Sequence, residues 1–370
     1  MASPRGTFAL ATALFSGVVA SSATGQTFDL LGLGPAGFSS RAYGLSDDGR
    51  VASGGSPGNP AQGFWWTRAD GRRDVGVVLG LPFGSYSYGI SGDGGTLVGQ
   101  YGIDAYRWTI GSPSLDILGR LPGYQSAFAQ DANHDGSIVV GRSESFDGAI
   151  GQAFRCTSTT GLVGLGYTQP GHVYSEAAAI SRDGTTIVGH SRGGGYSEAF
   201  AWREDVGMQV LAGLDSTNEA RAYGTNFDGR VVVGDTRYGA GNQGAVMWIS
   251  GQPVALGFAS GYSRSAATAV DDSGSVVVGY VSAPFQTAAI WTPGRGMEPL
   301  SAYLAFHGVQ VPAGVNLLTA TAVSADGSTI VGYTGLNGGP VEGFIVSIPS
   351  PNTIFMFVLA FSATARRARR

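Results

Sequence analysis

Two short segments of this chain carry residue types in an order that chemistry uses. Gly189-His190-Ser191-Arg192-Gly193 fits G-x-S-x-G, the nucleophile elbow of α/β-hydrolases, with the apolar pair Ile187-Val188 ahead of it. That elbow needs a helix directly after the serine to present its hydroxyl, and here Gly194-Gly195-Tyr196-Ser197 follows instead. No base is expected beside Ser191 either, since the only histidine beyond residue 190 is the distant His307. Asp131-Ala132-Asn133-His134-Asp135-Gly136 opens like the calcium loop D-x-N-x-D-G, but the position for the bidentate carboxylate holds Arg142. The four histidines, His134, His172, His190 and His307, have no ligand spacing, and neither a zinc pattern nor a phosphate-binding glycine loop occurs. The reading is of no catalytic residue, no metal site and no cofactor.

Both segments are copies of one repeat. An apolar or small-residue run, an Asp-Gly turn, a Val/Ile pair and a glycine recur seven times, with turn glycines at Gly49, Gly94, Gly136, Gly184, Gly229, Gly274 and Gly327. The steps of 45, 42, 48, 45, 45 and 53 residues mean a repeat architecture. Within it, the elbow frame reads Gly141-Arg142-Ser143-Glu144 and Gly234-Asp235-Thr236-Arg237 in other copies, so its match to a hydrolase comes from the repeat.

Each copy resolves into four strands. In the fourth, Ser175 to Ser181 is strand a, Arg182-Asp183-Gly184 a two-residue primed turn with positive φ, and Thr185 to Gly189 strand b. Strand b closes on Gly54, Gly99, Gly141, Gly189, Gly234, Gly279 or Gly332, always five residues after the turn glycine, a constancy that marks packed structure. Ala199-Phe200-Ala201-Trp202 is strand c, with Trp66, Trp108, Trp248 and Trp291 at the tryptophan place elsewhere and Cys156 and Val346 in the other two copies. A large apolar residue recurring there belongs to the core between repeats, which makes Cys156 a buried thiol. Met208 to Leu214 is strand d. The chain opens on the d-type strand Phe28 to Leu33 and ends on the c-type strand Gly343 to Val346, so pairing first with last completes seven four-stranded antiparallel blades with no open edge. The expected fold is therefore all-β: a seven-bladed β-propeller over residues 26–348, its ring closed by the N-terminal strand.

Both ends read as processing signals. Arg5, the apolar run Phe8 to Ala20 and the small residues Ala23-Thr24-Gly25 make residues 1–25 a secretory signal peptide. Residues 349–370 combine Pro349-Ser350-Pro351, a twelve-residue apolar run too short to span a bilayer, and the basic stop Arg366, Arg367, Arg369 and Arg370, the layout of a transient membrane hold that is later removed. Without those ends, 17 arginines face 26 acidic residues, a net charge of −9, and a nucleic-acid partner is excluded for want of a basic patch.

The repeat Ser-x-Ala-x-x-Ile-Ser-x-Asp-Gly-x-x-Ile-Val-Gly, followed by Ala-Phe-x-Trp, Gly-Met and Leu-Gly, resembles the HAF repeats of bacterial extracellular proteins over nearly all of residues 27–347. The tail resembles the PEP-CTERM sorting signal, with Ser350 where glutamate is usual. The histidine that names the repeat is replaced by Glu198, Gln152 and Asp104 in the clearest copies. The resemblance implies a Gram-negative source that makes exopolysaccharide, an exosortase-type processing enzyme as partner, and a secreted or cell-surface location with only transient membrane contact.

In antiparallel blades the a–b and c–d turns share one face, and the b–c and d–a loops, which differ between copies, share the other. The d–a loops of that variable face are expected to carry Phe38, Tyr86, Tyr124, Tyr174 and Tyr262, with His307 in the least repetitive loop, Ala305 to Leu318. Such aromatics suit sugar rings or a protein surface. The function read from these features is a non-catalytic exported propeller that binds or organises extracellular polysaccharide or a protein partner. The alternative is a polysaccharide hydrolase or lyase using carboxylates such as Asp235 at the channel mouth, which needs a second acid about 5–9.5 Å away for glycoside hydrolysis.

Overall fold

The computed structural model describes residues 27–215, 219–238, 242–336 and 339–348. Its strands form seven four-stranded antiparallel sheets arranged as a β-propeller. The first strand of each of blades 1 to 7, strand a, is Arg41–Leu45, Ser85–Ile90, Ser126–Ala132, Tyr174–Ile180, Ala220–Thr225, Arg264–Val270 and Val315–Val323. Blade 7 is completed by the N-terminal strand Thr27–Leu30, which pairs antiparallel with Glu342–Ser347, Phe28 opposite Val346. The expected ring closure is therefore present. Two short helices interrupt the pattern on d–a connections: α1, Val75–Leu79, and α2, Leu300–Phe306.

Each element of the repeat has an identifiable job. The first serine of the motif stands at or just before the head of strand a and ties two strands of the preceding blade. Ser175 Oγ accepts from Ala153 N–H at 2.9 Å and donates to the Gly166 carbonyl at 2.7 Å, and Ser265 does the same for Ala245 and Gly257. Ser40 repeats this at the closure seam with Gly343 and Gly32. Such buried, fully used hydroxyls specify how neighbouring blades dock. The second serine caps the turn: Ser46, Ser91, Ser181 and Ser324 each accept the N–H five residues ahead.

The a–b connection differs from the primed turn expected. In all seven blades the glycine N–H donates three residues back, as Gly49 to Ser46, and only the glycine has positive φ. The aspartate stays at ordinary φ because its carboxylate works as an acceptor, taking the N–H two residues on, as Asp183 does from Thr185 at 3.0 Å. Ser273, the one replacement, accepts the Ser275 N–H through its hydroxyl at 3.3 Å.

The closing glycine has a steric reason. Every strand a carries a β-bulge, and the glycine lies opposite the residue just before it. A Cβ at Gly99 would stand 1.8 Å from the Tyr86 carbonyl oxygen, and at Gly141, Gly189 or Gly234 1.9 Å from the matching oxygen. No other residue fits.

The core lies between blades. Val140 and Ala153 of blade 3 pack on Ala177, Ile180 and Phe200 of blade 4, and Leu31, Phe64 and Trp66 meet Val331 and Ile345 across the closure seam. Trp66, Trp108, Trp248 and Cys156 are buried as the repeat implies, and burial raises the pKa of the Cys156 thiol. The long last step contains α2, which buries Leu300, Tyr303 and Leu304 between blades 6 and 7 and overlaps the expected irregular loop only at Ala305 and Phe306.

On the turn face the blades are laced together around the axis. Asp47 N–H donates to the Gly92 carbonyl, Asp93 to His134, His134 to Arg182, Asp183 to Phe227, Asp272 to Ala325 and Ala325 back to Asp47, at 2.8–3.1 Å. Asn226 Nδ2 bridges to the Asp272 carbonyl and completes the circle. Across this ring the Asp47 carboxylate pairs with His134 Nδ1 at 2.8 Å and Arg182 Nε at 2.7 Å. The axial channel is thus bridged at this end.

Candidate binding funnel

The bulge residues of the seven inner strands are Tyr43, Tyr88, Gln130, Ala178, Tyr223, Thr268 and Thr321, and all seven line an axial cavity of about 300 Å³. Toward the loop face, two residues earlier on strand a, the register pairs Arg41 with Gly55, Tyr86 with Gln100, Phe128 with Arg142, Glu176 with His190, Arg221 with Asp235, Ala266 with Tyr280 and Thr319 with Tyr333. The second member of each pair directly follows the closing glycine. One backbone frame thus presents a different side chain from every blade around the mouth.

The sectors differ chemically. Blades 1 to 3 give aromatic faces: Tyr86 and Tyr88 stack at 5.8 Å, Tyr43 lies 5.9 Å and Phe128 6.2 Å from Tyr88, and the Arg142 guanidinium sits 4.3 Å over Phe128. Blades 3 to 5 give charges. Arg142 bridges Glu144 at 2.7 Å and Glu176 at 3.1 Å. Burial opposes its charge, yet Glu176, Tyr174 and Glu144 outweigh that and raise its pKa. Asp235 accepts from the Tyr223 hydroxyl at 2.8 Å and from Gln243 Nε2 at 2.6 Å, and its pKa is raised by burial. Burial lowers the pKa of His190 to about 4, so the ring is neutral, and its enclosed Nδ1 has no hydrogen-bond partner among the described residues.

The six residues expected to form an aromatic rim do not converge. Tyr86 and Tyr174 lie within strand a of blades 2 and 4, not in the d–a loops, because pairing starts earlier than the motif suggests. Tyr86 belongs to the funnel wall. Tyr174 is buried, its hydroxyl donating to Glu144 and Glu176 and its ring covered by Arg192 at 4.0 Å. Tyr124 and Tyr262 brace loops, through Tyr167 and Thr287 respectively. His307 caps α2 and packs on Tyr303 and Phe306, its pKa lowered by desolvation. Phe38 alone of the six is exposed on the loop face. The sorting-signal residues Pro349, Ser350, Pro351, Arg366, Arg367, Arg369 and Arg370, and the signal peptide, lie outside the described residues.

The expectation that no base stands near Ser191 is overturned: His172 Nδ1 lies 2.9 Å from Ser191 Oγ. The histidine comes from the preceding d–a loop, folded over strand b, a contact that sequence separation does not reveal. Both groups are buried, Ser191 fully and His172 to 7% exposure. Ser191 Oγ also accepts the Thr168 N–H at 3.3 Å, just as Ser143 accepts from Leu121 and Thr236 from Leu214. This hydroxyl holds the d–a loop in three consecutive blades. The calcium-like segment is likewise occupied by backbone: Asp131 accepts from Ile180 and Ala132, and Asp135 from Ser137. Among the described residues no group of three or more His, Cys, Asp or Glu could hold a metal ion.

No protein-family model matches the chain, and no curated protein matches it. Solved structures do. The chain is similar to oligogalacturonate lyase from Vibrio parahaemolyticus, at 12% identity and a TM-score of 0.60 over 89% of this chain and 95% of that one. It is also similar to one of two prolyl endopeptidases, at 12% identity and a TM-score of 0.53 over 86% of this chain and 51% of that one. TolB from Acinetobacter baumannii gives 15% identity and a TM-score of 0.43, covering 58% of this chain and 53% of that one. The feature shared with the lyase and the endopeptidase is the β-propeller fold, which in this chain has seven blades. The chain spans about half the length of the TolB and endopeptidase chains, and likeness at these identities carries architecture and not chemistry.

Proposed function

We propose that the protein is an exported, surface-associated propeller that binds extracellular polysaccharide through the loop-face funnel without catalysis. The observation that carries this reading is the concentration of sugar-compatible side chains on one face. The stacked Tyr86 and Tyr88, with Phe128, form the aromatic sector, and on the same face Phe38, Phe83, Phe146, Phe285 and Phe306 are exposed on b–c and d–a connections and Tyr196 at the head of a strand c. Aromatic faces beside hydrogen-bonding groups suit pyranose rings. Export and sorting rest on the resemblance to HAF repeats and to PEP-CTERM signals. The strand geometry is compatible with it: Thr27 and Ser347 pair at the turn-face end of blade 7, so a tail held at a membrane after Ile348 would point the funnel outward.

The test is affinity electrophoresis of the folded protein in gels containing the exopolysaccharide of its source bacterium. Retardation that Tyr86→Ala plus Phe128→Ala reduces supports the reading; mobility unchanged by the polysaccharide contradicts it. The alternative, a hydrolase or lyase, would rest on Asp235, a buried carboxyl with raised pKa at the edge of a cavity it shares with Glu219. Release of new sugar ends from the polysaccharide, abolished by Asp235→Asn, would select it.

A further inference from the structure

The loop face holds a cavity of about 340 Å³ between blades 5 and 6, distinct from the aromatic sector. Three arginines face it: Arg221 from strand a of blade 5, Arg237 from strand b, and Arg264 from the head of strand a of blade 6, with the amides of Asn242 and Gln243 beside them. A neighbouring cavity of the same size shares Arg221 and Glu219 and adds Arg192 and Tyr196. Four arginines against two acids is an excess of positive charge, on a propeller that carries −9 between residues 26 and 348.

The two acids offset only part of it. Glu219 is paired with Arg237 at 3.1 Å. Asp235 Oδ2 accepts from both the Tyr223 hydroxyl and Gln243 Nε2, so one of its oxygens is covered. Arg264 is the exposed member, and no side-chain hydrogen bond or ion pair engages its guanidinium among the described residues. A guanidinium left unpaired at a cavity edge, with a second one across from it, matches the planar, two-oxygen geometry of a carboxylate.

We propose that this cavity is a carboxylate subsite, and that the polysaccharide bound by the funnel is one whose sugars are uronic acids. Arg264 and Arg221 grip the carboxylate, Asn242 and Gln243 meet ring hydroxyls, and Tyr196 in the adjoining cavity offers a face to the next sugar. The inference rests on the polysaccharide reading above and adds the charge of the ligand to it.

Calorimetric titration of the folded protein with a hexuronate oligomer and with its carboxyl-reduced counterpart separates the two claims. The hexuronate is expected to bind at least roughly tenfold more tightly, as a charge-assisted contact implies. Arg264→Gln should erase that preference while leaving affinity for the reduced oligomer and the melting temperature unchanged. Equal affinity for both oligomers, or an Arg264→Gln variant that keeps the preference, overturns the carboxylate subsite and leaves polysaccharide binding standing. Binding of neither oligomer overturns the subsite, and the gel assay with native polysaccharide then decides the broader reading separately. Should Arg264→Gln fail to fold, salt dependence in the wild type decides. Hexuronate affinity must fall as ionic strength rises while that of the reduced oligomer does not, and parallel behaviour of the two contradicts the subsite.

Discussion

The two faces of this propeller are built from the same strands yet obey different rules. On the turn face, seven Ser/Asn/Asp-x-Asp/Ser-Gly turns make the same bonds in every blade, and they link into a closed circle from Asp47 round to Ala325 through six backbone bonds and the Asn226 side chain. On the loop face the positions two residues before each bulge and just after each closing glycine are occupied by Arg41, Tyr86, Phe128, Glu176 and Arg221 in one ring and by Gln100, Arg142, His190, Asp235 and Tyr280 in the other. Repetition therefore marks what holds the ring together, and variation inside the repeated frame marks what the ring presents.

The contrast can be broken most severely at its seam. Deleting Thr27–Leu30 removes the outer partner of Glu342–Ser347 and exposes a full strand edge. The truncated protein is expected to elute as aggregate in size-exclusion chromatography, and a monomer with unchanged melting temperature would show that the strand does not close the ring. Next in size is Gly234→Ala. Its Cβ would meet the Arg221 carbonyl oxygen at 1.9 Å, so bulge and strand must separate. A loss of about 3 kcal/mol or more is expected, read as a drop in thermal and denaturant midpoints. A neutral substitution would mean that the frame is not what fixes the bulge.

The frame was legible in the sequence because each of its parts recurs. Seven Gly-to-Gly spacings, the unmatched d-strand and c-strand at the two ends, and a tryptophan place that includes Cys156 determine blade number, strand order and closure without any coordinates. The funnel was less legible for the same reason. Tyr124, Tyr174, Tyr262 and His307 stood out as loop aromatics, but their partners Tyr167, Glu144, Thr287 and Tyr303 turn them into braces. The bulge residues Tyr43, Tyr88 and Tyr223 were hidden inside strand a, because a bulge changes which face a side chain takes without altering the motif. Ser191 and His172 were separated by a loop whose path only the fold supplies. The column after the closing glycine was the available signal, since six residue types fill its seven places at fixed spacing.

Ser191 sharpens the comparison, since it repeats like the frame although it mimics a catalytic motif. Ser191→Ala should cost about 1 kcal/mol through loss of the Thr168 and His172 contacts, and the wild-type protein should remain unlabelled by fluorophosphonate probes. Labelling at Ser191 that the alanine variant abolishes would make this serine a nucleophile and not a loop tie.

A smaller effect separates two funnel residues by the sign of their pH dependence. His190 has its pKa lowered to about 4 by burial, so its contribution is complete above its usual value of about 6.5 and is lost as pH falls toward 4. Asp235 has its pKa raised, so its contribution is complete below the usual carboxyl range and is lost as pH rises through its folded-state value. Denaturant midpoints between pH 4 and 8 should show His190→Gln flattening the acid limb and Asp235→Asn raising stability at neutral pH relative to wild type. Identical profiles for both variants would mean that neither group is buried as described.

The claim that ligand is taken on the varied face and not on the repeated one is most directly tested by amide hydrogen exchange with and without the polysaccharide of the source bacterium. Slowed exchange is predicted in peptides holding Tyr86–Tyr88, Phe128, Tyr196 and Arg221, with the turns at Asp47, His134, Arg182 and Asp272 unchanged. Protection confined to those turns, or no protection anywhere at saturating polysaccharide, would contradict it.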